Sequence, residues 1–285
     1  MMRGVKDMSK LLTKKEIQKE ELAILKDVIK FMDDNNLNYS LAGGTLLGAI
    51  RHKGFIPWDD DIDLLMSRNE YDKFLKLFKE NNNISGTSLY VHSNELNNLN
   101  LPYTKVYNKN IFAHDERFND KYEKYLWIDI FPLDGFSDDI KECEKIYNKK
   151  QLYRRLLLIR KSTFNYIFTN SKNIIKMIGK LFIKLLLHLL PSSYFANRIT
   201  KLAKNYSYDD SRYVGNISWG YGLKERIDKK LYEELILMKF EDIKAKGYKE
   251  YDKILTEVYG DYMTLPPEEE RKTHDFEAWR IENEK

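Results

Sequence analysis

The sequence has 285 residues, enough for one large domain or for one domain with a helical subdomain. Lys and Arg number 48 against 44 Asp and Glu, and a net charge of +4 gives no reason to expect a nucleic-acid-binding protein. The single cysteine, Cys143, excludes an intrachain disulfide, and the five histidines lack the spacing of zinc ligands. The first twenty residues contain no apolar run of signal-peptide length, so we expect a cytoplasmic protein, or one held peripherally on the inner face of the membrane.

The first predicted element is a helix. Thr13 and Glu16 form the pattern of a capping box, and an apolar stripe at helical spacing follows until Asn35. A half-apolar run, residues 38–42, then predicts a short strand.

A glycine pair follows this strand. Gly43 and Gly44 permit a sharp turn, after which Thr45 opens a short predicted helix that reaches Arg51. A turn of this kind directs backbone N–H groups toward an anion. The turn with Gly43, Gly44 and Thr45, together with Arg51, is therefore a candidate for binding the phosphate oxygens of a cofactor or substrate. A tight turn and a surface salt bridge are the plainer explanations.

An acidic run predicts the second strand, residues 59–65. Side chains alternate along a strand, which would place Asp59, Asp61 and Asp63 on one face. Three carboxylates on one face repel one another unless a cation lies among them, and their hard oxygens suit Mg²⁺ or Mn²⁺. A solvated acidic turn fits poorly because apolar residues flank the run, and the ligand spacing of an EF-hand is absent. We interpret the run as part of a catalytic metal site.

The run from Gly43 to Asp63 closely resembles the signature of the LicD family of phosphorylcholine transferases, to which the fukutin-related sugar-modifying proteins are similar. The glycine pair followed by Asp-x-Asp is also similar to the nucleotidyltransferase fold. This resemblance implies an α+β protein with a nucleotidyltransferase-like mixed sheet flanked by helices. It further implies a third acidic residue on a neighbouring strand, and Asp129 is the candidate because it interrupts an apolar predicted strand, residues 126–132.

Further strands and helices are predicted between these motifs. A helix is expected from about residue 68 to 80, followed by strands at 89–92 and 103–107. The LicD pattern also carries a lysine where this chain has Lys105, so both phosphate contact and an ordinary solvent-facing lysine remain open. Residues 132–135 predict a turn, which explains Asp134 well enough to leave it out of the metal set.

Helices continue after this turn. Ser137 or Asp138 is the expected cap of the next helix. Residues 174–190 then predict an almost wholly apolar helix with a polar stripe at every fourth position, namely Lys176, Lys180, Lys184 and His188. The charges and the short length argue against a transmembrane span. Two interpretations stay open: a basic amphipathic helix in a membrane interface, or a helix packed into the protein with a narrow polar edge.

The C-terminal part predicts two more helices. One is expected from about residue 230 to 244, and another over 251–259, closed by Gly260. Residues 259–267 again resemble the end of LicD proteins. We predict a catalytic domain formed by residues 1–137 with 205–285, and a helical insertion over 138–204 that is a candidate for membrane contact.

The resemblance implies the chemistry. The donor would be CDP-choline or another CDP-alcohol, the transferred group phosphocholine or a polyol phosphate, and the acceptor a sugar hydroxyl of a cell-surface glycan precursor, such as lipopolysaccharide or teichoic acid, which a lipid could carry. Two divalent ions, Mg²⁺ or Mn²⁺, held by Asp61, Asp63 and Asp129 would clamp the diphosphate. Asp59 would orient the metals or accept the hydroxyl proton.

Aromatic faces bind quaternary ammonium groups. The candidates for this substrate contact are Trp58, Trp127, Trp219 and Tyr221. Each is more often packing than a ligand contact. A nucleotidyltransferase that attaches NMP to a small molecule, a protein or RNA would share every metal ligand and stays open, as does a binding protein without turnover.

Overall fold

The computed structural model describes residues 9–118, 124–171, 173–271, 273 and 276–281. Its helices are α1 (Lys14–Asp34), α2 (Gly43–Arg51), α3 (Arg68–Lys76), α4 (Ile140–Lys161), α5 (Phe164–Thr169), α6 (Ile174–Leu187), α7 (Tyr194–Ala203) and α8 (Tyr251–Tyr259). Its strands are β1 (Ser9–Leu11), β2 (Ser40–Leu41), β3 (Asp63–Ser67), β4 (Leu89–Ser93), β5 (Thr104–His114), β6 (Tyr125–Phe136), β7 (Tyr213–Gly215), β8 (Ile227–Asp228), β9 (Leu235–Phe240), β10 (Ile243–Tyr248) and β11 (Glu277–Ile281).

One mixed sheet holds the strands that matter for the site. Its order is β1-β11-β5-β6-β3-β2. In addition, β4 pairs with β5, and β7 pairs with β6. β3 and β6 run parallel, whereas β6 runs antiparallel to β5. β9 and β10 form a separate antiparallel hairpin. A mixed sheet with flanking helices confirms the predicted α+β class.

The two sides of the sheet are covered by different helices. A first core cluster joins the apolar stripe of α1, including Leu25 and Val28, to strand residues such as Leu64 and Ile128. A second cluster joins Phe131 and other strand residues to Leu157 of α4, Leu187 of α6 and Phe195 of α7. The capping box at the start of α1 is confirmed. Thr13 Oγ1 accepts a hydrogen bond from the backbone N–H of Glu16, and the Glu16 carboxylate accepts one from the backbone N–H of Thr13. The predicted domain boundaries stay a prediction.

The acidic run is not a strand along its whole length. β3 begins only at Asp63, so Asp59 and Asp61 lie in the loop that leads into it. The reason is that pairing starts where β3 meets β6, at Asp63 opposite Asp129. The predicted alternation on one strand face was therefore wrong for Asp59 and Asp61.

Three other local predictions were wrong. Residues 132–135 continue β6 instead of forming a turn, and Asp139 caps α4 in place of Ser137 or Asp138. The predicted helix at 230–244 is a short 3-10 turn followed by the hairpin of β9 and β10.

The helix predicted at 174–190 is present as α6, and its orientation contradicts the interpretation as a helix packed into the protein by its apolar side but not the interfacial interpretation, which stays a prediction. Lys184 is buried and its Nζ donates to the carbonyl oxygen of Arg160 at 2.6 Å. The apolar side is the exposed one, as at Ile175 and Phe182. Within the described residues, no helix has the length and apolarity that crossing a bilayer requires.

Candidate functional site

Strand register brings three charged side chains into one row. Parallel pairing places Asp63 of β3 opposite Asp129 of β6, and antiparallel pairing places Lys105 of β5 opposite the same Asp129. Residues directly opposite each other point to the same face of a sheet. Lys105 Nζ lies 2.9 Å from Asp129 Oδ1 in a largely buried ion pair. The row is therefore fixed by the fold of three adjacent strands.

Helix α1 holds the acidic loop through its backbone. Gln18 Nε2 donates to the carbonyl oxygen of Asp59 at 2.7 Å, and Lys14 Nζ donates to that of Trp58 at 3.2 Å. Because these bonds use carbonyl groups, they position the loop without engaging the carboxylate of Asp59.

The glycine pair lets the start of α2 approach two carboxylates. A Cβ on Gly43, whose φ is +51°, would lie 3.2 Å from Asp63 Oδ2, and one on Gly44 would lie 2.7 Å from Asp59 Oδ2. The N-terminus of a helix stabilises nearby negative charge. Thr45 contributes differently from the prediction, because its Oγ1 accepts a hydrogen bond of 2.9 Å from the backbone N–H of Asp63 and so fixes the start of β3.

Negative charge exceeds positive charge around this row. Burial, and then the charges of Asp61, Asp129 and Asp59, raise the pKa of Asp63 well above its usual range, although Lys105 opposes the shift. Burial, followed by the charge of Asp61, also raises the pKa of Glu21 on α1. The sequence did not identify Glu21 as part of the site. Its signal was a carboxylate within an apolar helical stripe.

This donor set has the chemistry of a magnesium or manganese site. Hard carboxylate oxygens and surplus negative charge favour such ions, and Gly43 has no Cβ to crowd Asp63 Oδ2, from which one would lie 3.2 Å away. Lys105 supplies the positive charge beside Asp129. Among the described residues, no three acidic, histidine or cysteine side chains stand together as they would around an ion. Ion binding by these carboxylates would thus require Asp61, Asp63 or Asp129 to move.

A cavity of about 460 Å³ opens beside the row. Asp61, Asp63, Asp129 and Lys105 line it together with Gly43. The cavity also receives cationic side chains that sequence analysis did not select, namely Arg117, Arg154 and Lys161. Arg154 and Lys161 come from α4, so the helical segment contributes directly to the cavity.

Three of the four aromatic candidates line this cavity. Lys105 Nζ lies 4.0 Å from the centre of the Trp127 ring, and Arg154 Cζ lies 4.2 Å from that of Trp219. Tyr221 lines the cavity on the side of the carboxylates and is 63% exposed. The two tryptophan rings therefore already contact cationic side chains, and Tyr221 lies beside negative charge.

Other candidates lie outside the cavity lining. The Trp58 ring packs beneath Arg271, with 4.6 Å between Cζ and the ring centre. Arg51 Nη1 donates to the carbonyl oxygen of Tyr262 at 2.7 Å and thereby ties α2 to the C-terminal segment. Asp59, Gly44 and Thr45 are not among the residues that line the cavity.

Asp134 belongs to a different structure. Its two carboxylate oxygens accept hydrogen bonds of 2.7 and 2.8 Å from Arg68, and both side chains are buried. Asp134 therefore serves a buried ion pair with Arg68, and the predicted turn does not explain it.

The fold and the site define a class of protein. Paired carboxylates on two parallel strands of a mixed sheet, next to a helix that begins with two glycines, are the features of a nucleotidyltransferase-like domain. A family model described as "LicD/FKTN/FKRP, nucleotidyltransferase domain" matches residues 36–154, which include the row, the glycine pair and the acidic loop.

Similarity to curated relatives specifies the family. The chain is 32% identical over 271 residues to the lipopolysaccharide cholinephosphotransferase LicD of Haemophilus influenzae, covering 94% of this chain and 98% of that protein. Shorter matches are found with uncharacterized proteins of Rickettsia typhi, 42% identical over 60 residues, and Rickettsia prowazekii, 49% identical over 41 residues. These cover 20% and 14% of this chain and 19% and 15% of the two relatives. The chain belongs to the LicD family.

Proposed function

We propose that this protein transfers phosphocholine, or a related phospho-alcohol, from a CDP-activated donor to a sugar hydroxyl of lipopolysaccharide or another cell-surface glycan precursor. The observation that carries the proposal is 32% identity, over 94% of the chain, to a protein named as a lipopolysaccharide cholinephosphotransferase. The carboxylate row and the cationic, aromatic cavity beside it are compatible with a diphosphate donor that ends in a quaternary ammonium group.

Metal dependence is part of the proposal. Asp61, Asp63 and Asp129 would hold one or two Mg²⁺ or Mn²⁺ ions, which neutralise charge on the donor diphosphate. Lys105 would add a positive charge beside Asp129 for a phosphate oxygen. Arg154 and Lys161 would bind more distant anionic parts of the donor.

The reaction needs no covalent enzyme intermediate. The acceptor oxygen would form a bond to the phosphorus of the phospho-alcohol while the bond from that phosphorus to the CMP oxygen breaks. A cavity-facing carboxylate would take the proton of the acceptor hydroxyl, and we assign this role to Asp61 because it lines the cavity and Asp59 does not.

The alcohol would be recognised by aromatic rings. Trp127, Trp219 and Tyr221 line the same cavity. Cations lie 4.0 and 4.2 Å from the centres of the Trp127 and Trp219 rings, which supports recognition of positive charge by these faces. A trimethylammonium group would occupy a remaining face or replace one of these cations.

A donor panel tests the proposal. The purified chain would be incubated with Mg²⁺, lipopolysaccharide, and CDP-choline, CDP-glycerol, CDP-ribitol, CTP or ATP in parallel. We expect CMP release and labelled phospho-alcohol on the acceptor with a CDP-alcohol, and neither with Asp63→Asn. Pyrophosphate release from CTP or ATP, with NMP on the acceptor, would instead establish a nucleotidyltransferase.

A further inference from the structure

The outward side of α6 is apolar along its whole length. Ile175 is 76% exposed, Phe182 is 62% exposed and Leu189, just beyond the helix, is 82% exposed. We call this surface the apolar face, and it comprises Ile174, Ile175, Ile178, Phe182, Leu185 and Leu189. Phe164 and Phe168 of the neighbouring α5 are each about half exposed as well. Contiguous apolar surface of this kind marks an interaction site.

The polar stripe of α6 points in the opposite direction. Lys184 is 4% exposed and bonded to the backbone of Arg160, and Lys180 Nζ reaches Ser171 Oγ at 3.4 Å. With a period of 3.6 residues, lysines at every fourth position share one side of the helix. Exposed apolar residues occupy the other side. None of the six residues that form the apolar face is charged.

The charge of the surrounding segment indicates what covers this face. Residues 145–208 contain fourteen Lys and Arg and no Asp or Glu. The whole chain has a net charge of +4, so the residues outside this segment sum to −10. Arg155 of α4 and Arg198 of α7 are among the exposed cations of the segment. Two copies that met through their apolar faces would bring like charges together, whereas an anionic surface would attract them.

We propose that the apolar face inserts into the interfacial layer of an anionic phospholipid bilayer, with α6 parallel to the membrane surface. α6 has 14 residues and thus a length of about 21 Å. It would rest on the bilayer rather than cross it, with Ile, Leu and Phe side chains among the acyl chains, while the net positive charge of residues 145–208 is attracted to the anionic headgroups. The proposal does not depend on the identity of the donor or the acceptor.

Vesicle binding tests the proposal without any turnover assay. Purified protein would be mixed with vesicles of phosphatidylglycerol and phosphatidylcholine, and the bound fraction measured by flotation. We expect the wild type to float with these vesicles, less so at high salt and less with pure phosphatidylcholine. The variant Ile175→Gln/Phe182→Gln/Leu189→Gln should bind at least tenfold more weakly.

A control variant replaces three exposed apolar residues outside the apolar face by Gln. Leu77, Leu237 and Met263 are exposed by 48%, 64% and 55% and lie outside the apolar face. Their triple change to Gln should leave vesicle binding unchanged. Equal loss in both variants, or no flotation of the wild type at low salt, would overturn the proposal. Sedimentation velocity tests the competing possibility that a second copy covers the apolar face. That possibility would be established if the wild type does not bind vesicles, forms a dimer, and becomes monomeric in the α6 variant.

Discussion

The carboxylate of Asp63 is buried among other carboxylates, and these surroundings disfavour its charged form. Burial and three neighbouring carboxylates raise its pKa, and Lys105 opposes that shift only in part. Such placement is costly for folding and is typical of residues retained for chemistry. The same reasoning separates Asp63 from Asp134, whose buried charge is compensated by two hydrogen bonds from Arg68.

The first prediction concerns Asp63→Asn. We expect turnover to fall by at least 100-fold, equivalent to about 2.7 kcal/mol of barrier, because a ligand for the proposed metal is lost. The melting temperature without metal should stay the same or rise, because one of several repelling carboxylates becomes neutral. Donor turnover and calorimetry measure the two effects. Activity above about a tenth of wild type would remove Asp63 from the metal set.

The second prediction concerns Lys105→Met. The variant loses the ion pair of 2.9 Å with Asp129 and the contact with the Trp127 ring. We expect a loss of about 1–3 kcal/mol in the free energy of unfolding, because a largely buried carboxylate keeps no ammonium partner. If the row binds Mg²⁺, millimolar Mg²⁺ should stabilise the variant more than the wild type. Equal thermal shifts in both proteins would contradict metal binding at Asp129.

Sequence analysis found most of the row but not how it is assembled. Asp63 and Asp129 were recognisable because each is an acidic residue next to apolar strand residues. The pairing of Lys105 with Asp129 depends on register, and Glu21 and Arg154 reach the site from distant helices. A linear pattern carries no information on such contacts.

At the level of elements, long helices with clear caps were predictable and the hairpin of β9 and β10 was not. Its apolar residues read as a helical stripe, and its two-residue turn at Glu241-Asp242 lacks the glycine that usually marks such a turn. Glu241 has a φ of +53° and accepts a hydrogen bond of 2.9 Å from Phe55 N–H. Tertiary contacts therefore decide this element, which local periodicity cannot anticipate.

The orientation of α6 yields the third prediction, a comparison of two lysines on one stripe. Lys184→Glu would place a carboxylate against the carbonyl oxygen of Arg160, now bonded to Lys184 at 2.6 Å, and should destabilise the protein by about 2 kcal/mol or more. Lys176 is exposed, so Lys176→Glu should leave the unfolding free energy within about 0.5 kcal/mol of wild type. Urea unfolding measures both. Equal effects would mean that the stripe does not face the protein.

A fourth prediction follows from Lys150 on α4, which donates to the carbonyl oxygen of Gly220 at 3.0 Å. Burial, and then the charge of Arg154, lower its pKa from 10.5 to about 8. The folded state therefore releases this proton first, and the penalty for burying the charge, about 3 kcal/mol at most, is complete below pH 8 and absent above pH 10.5. Wild-type stability should rise across this window relative to Lys150→Met. A constant difference between the two unfolding free energies would show that Lys150 titrates normally.

At the scale of the whole molecule, charge and apolar surface divide the protein in two. The segment of residues 145–208 is strongly cationic and carries the apolar face, while the remainder is acidic and holds the carboxylate row. Helix α4 connects the two regions. Its Leu158 and Lys161 line the cavity, and its Arg160 donates to the carbonyl oxygen of Leu187 on α6. Membrane docking through α6 would therefore bring the cavity close to the bilayer surface.

The last prediction combines the docking surface with the proposed transfer reaction. If both proposals hold, an acceptor glycan carried on a lipid in anionic vesicles should be used faster than the same glycan free in solution. The variant Ile175→Gln/Phe182→Gln/Leu189→Gln should lose at least tenfold of the rate on the vesicle-borne acceptor. It should keep the rate on the soluble one, because these exposed side chains do not line the cavity. Equal loss on both acceptors would show that the apolar face supports the fold of the catalytic cavity instead, and unchanged rates on both would show that docking does not deliver the acceptor.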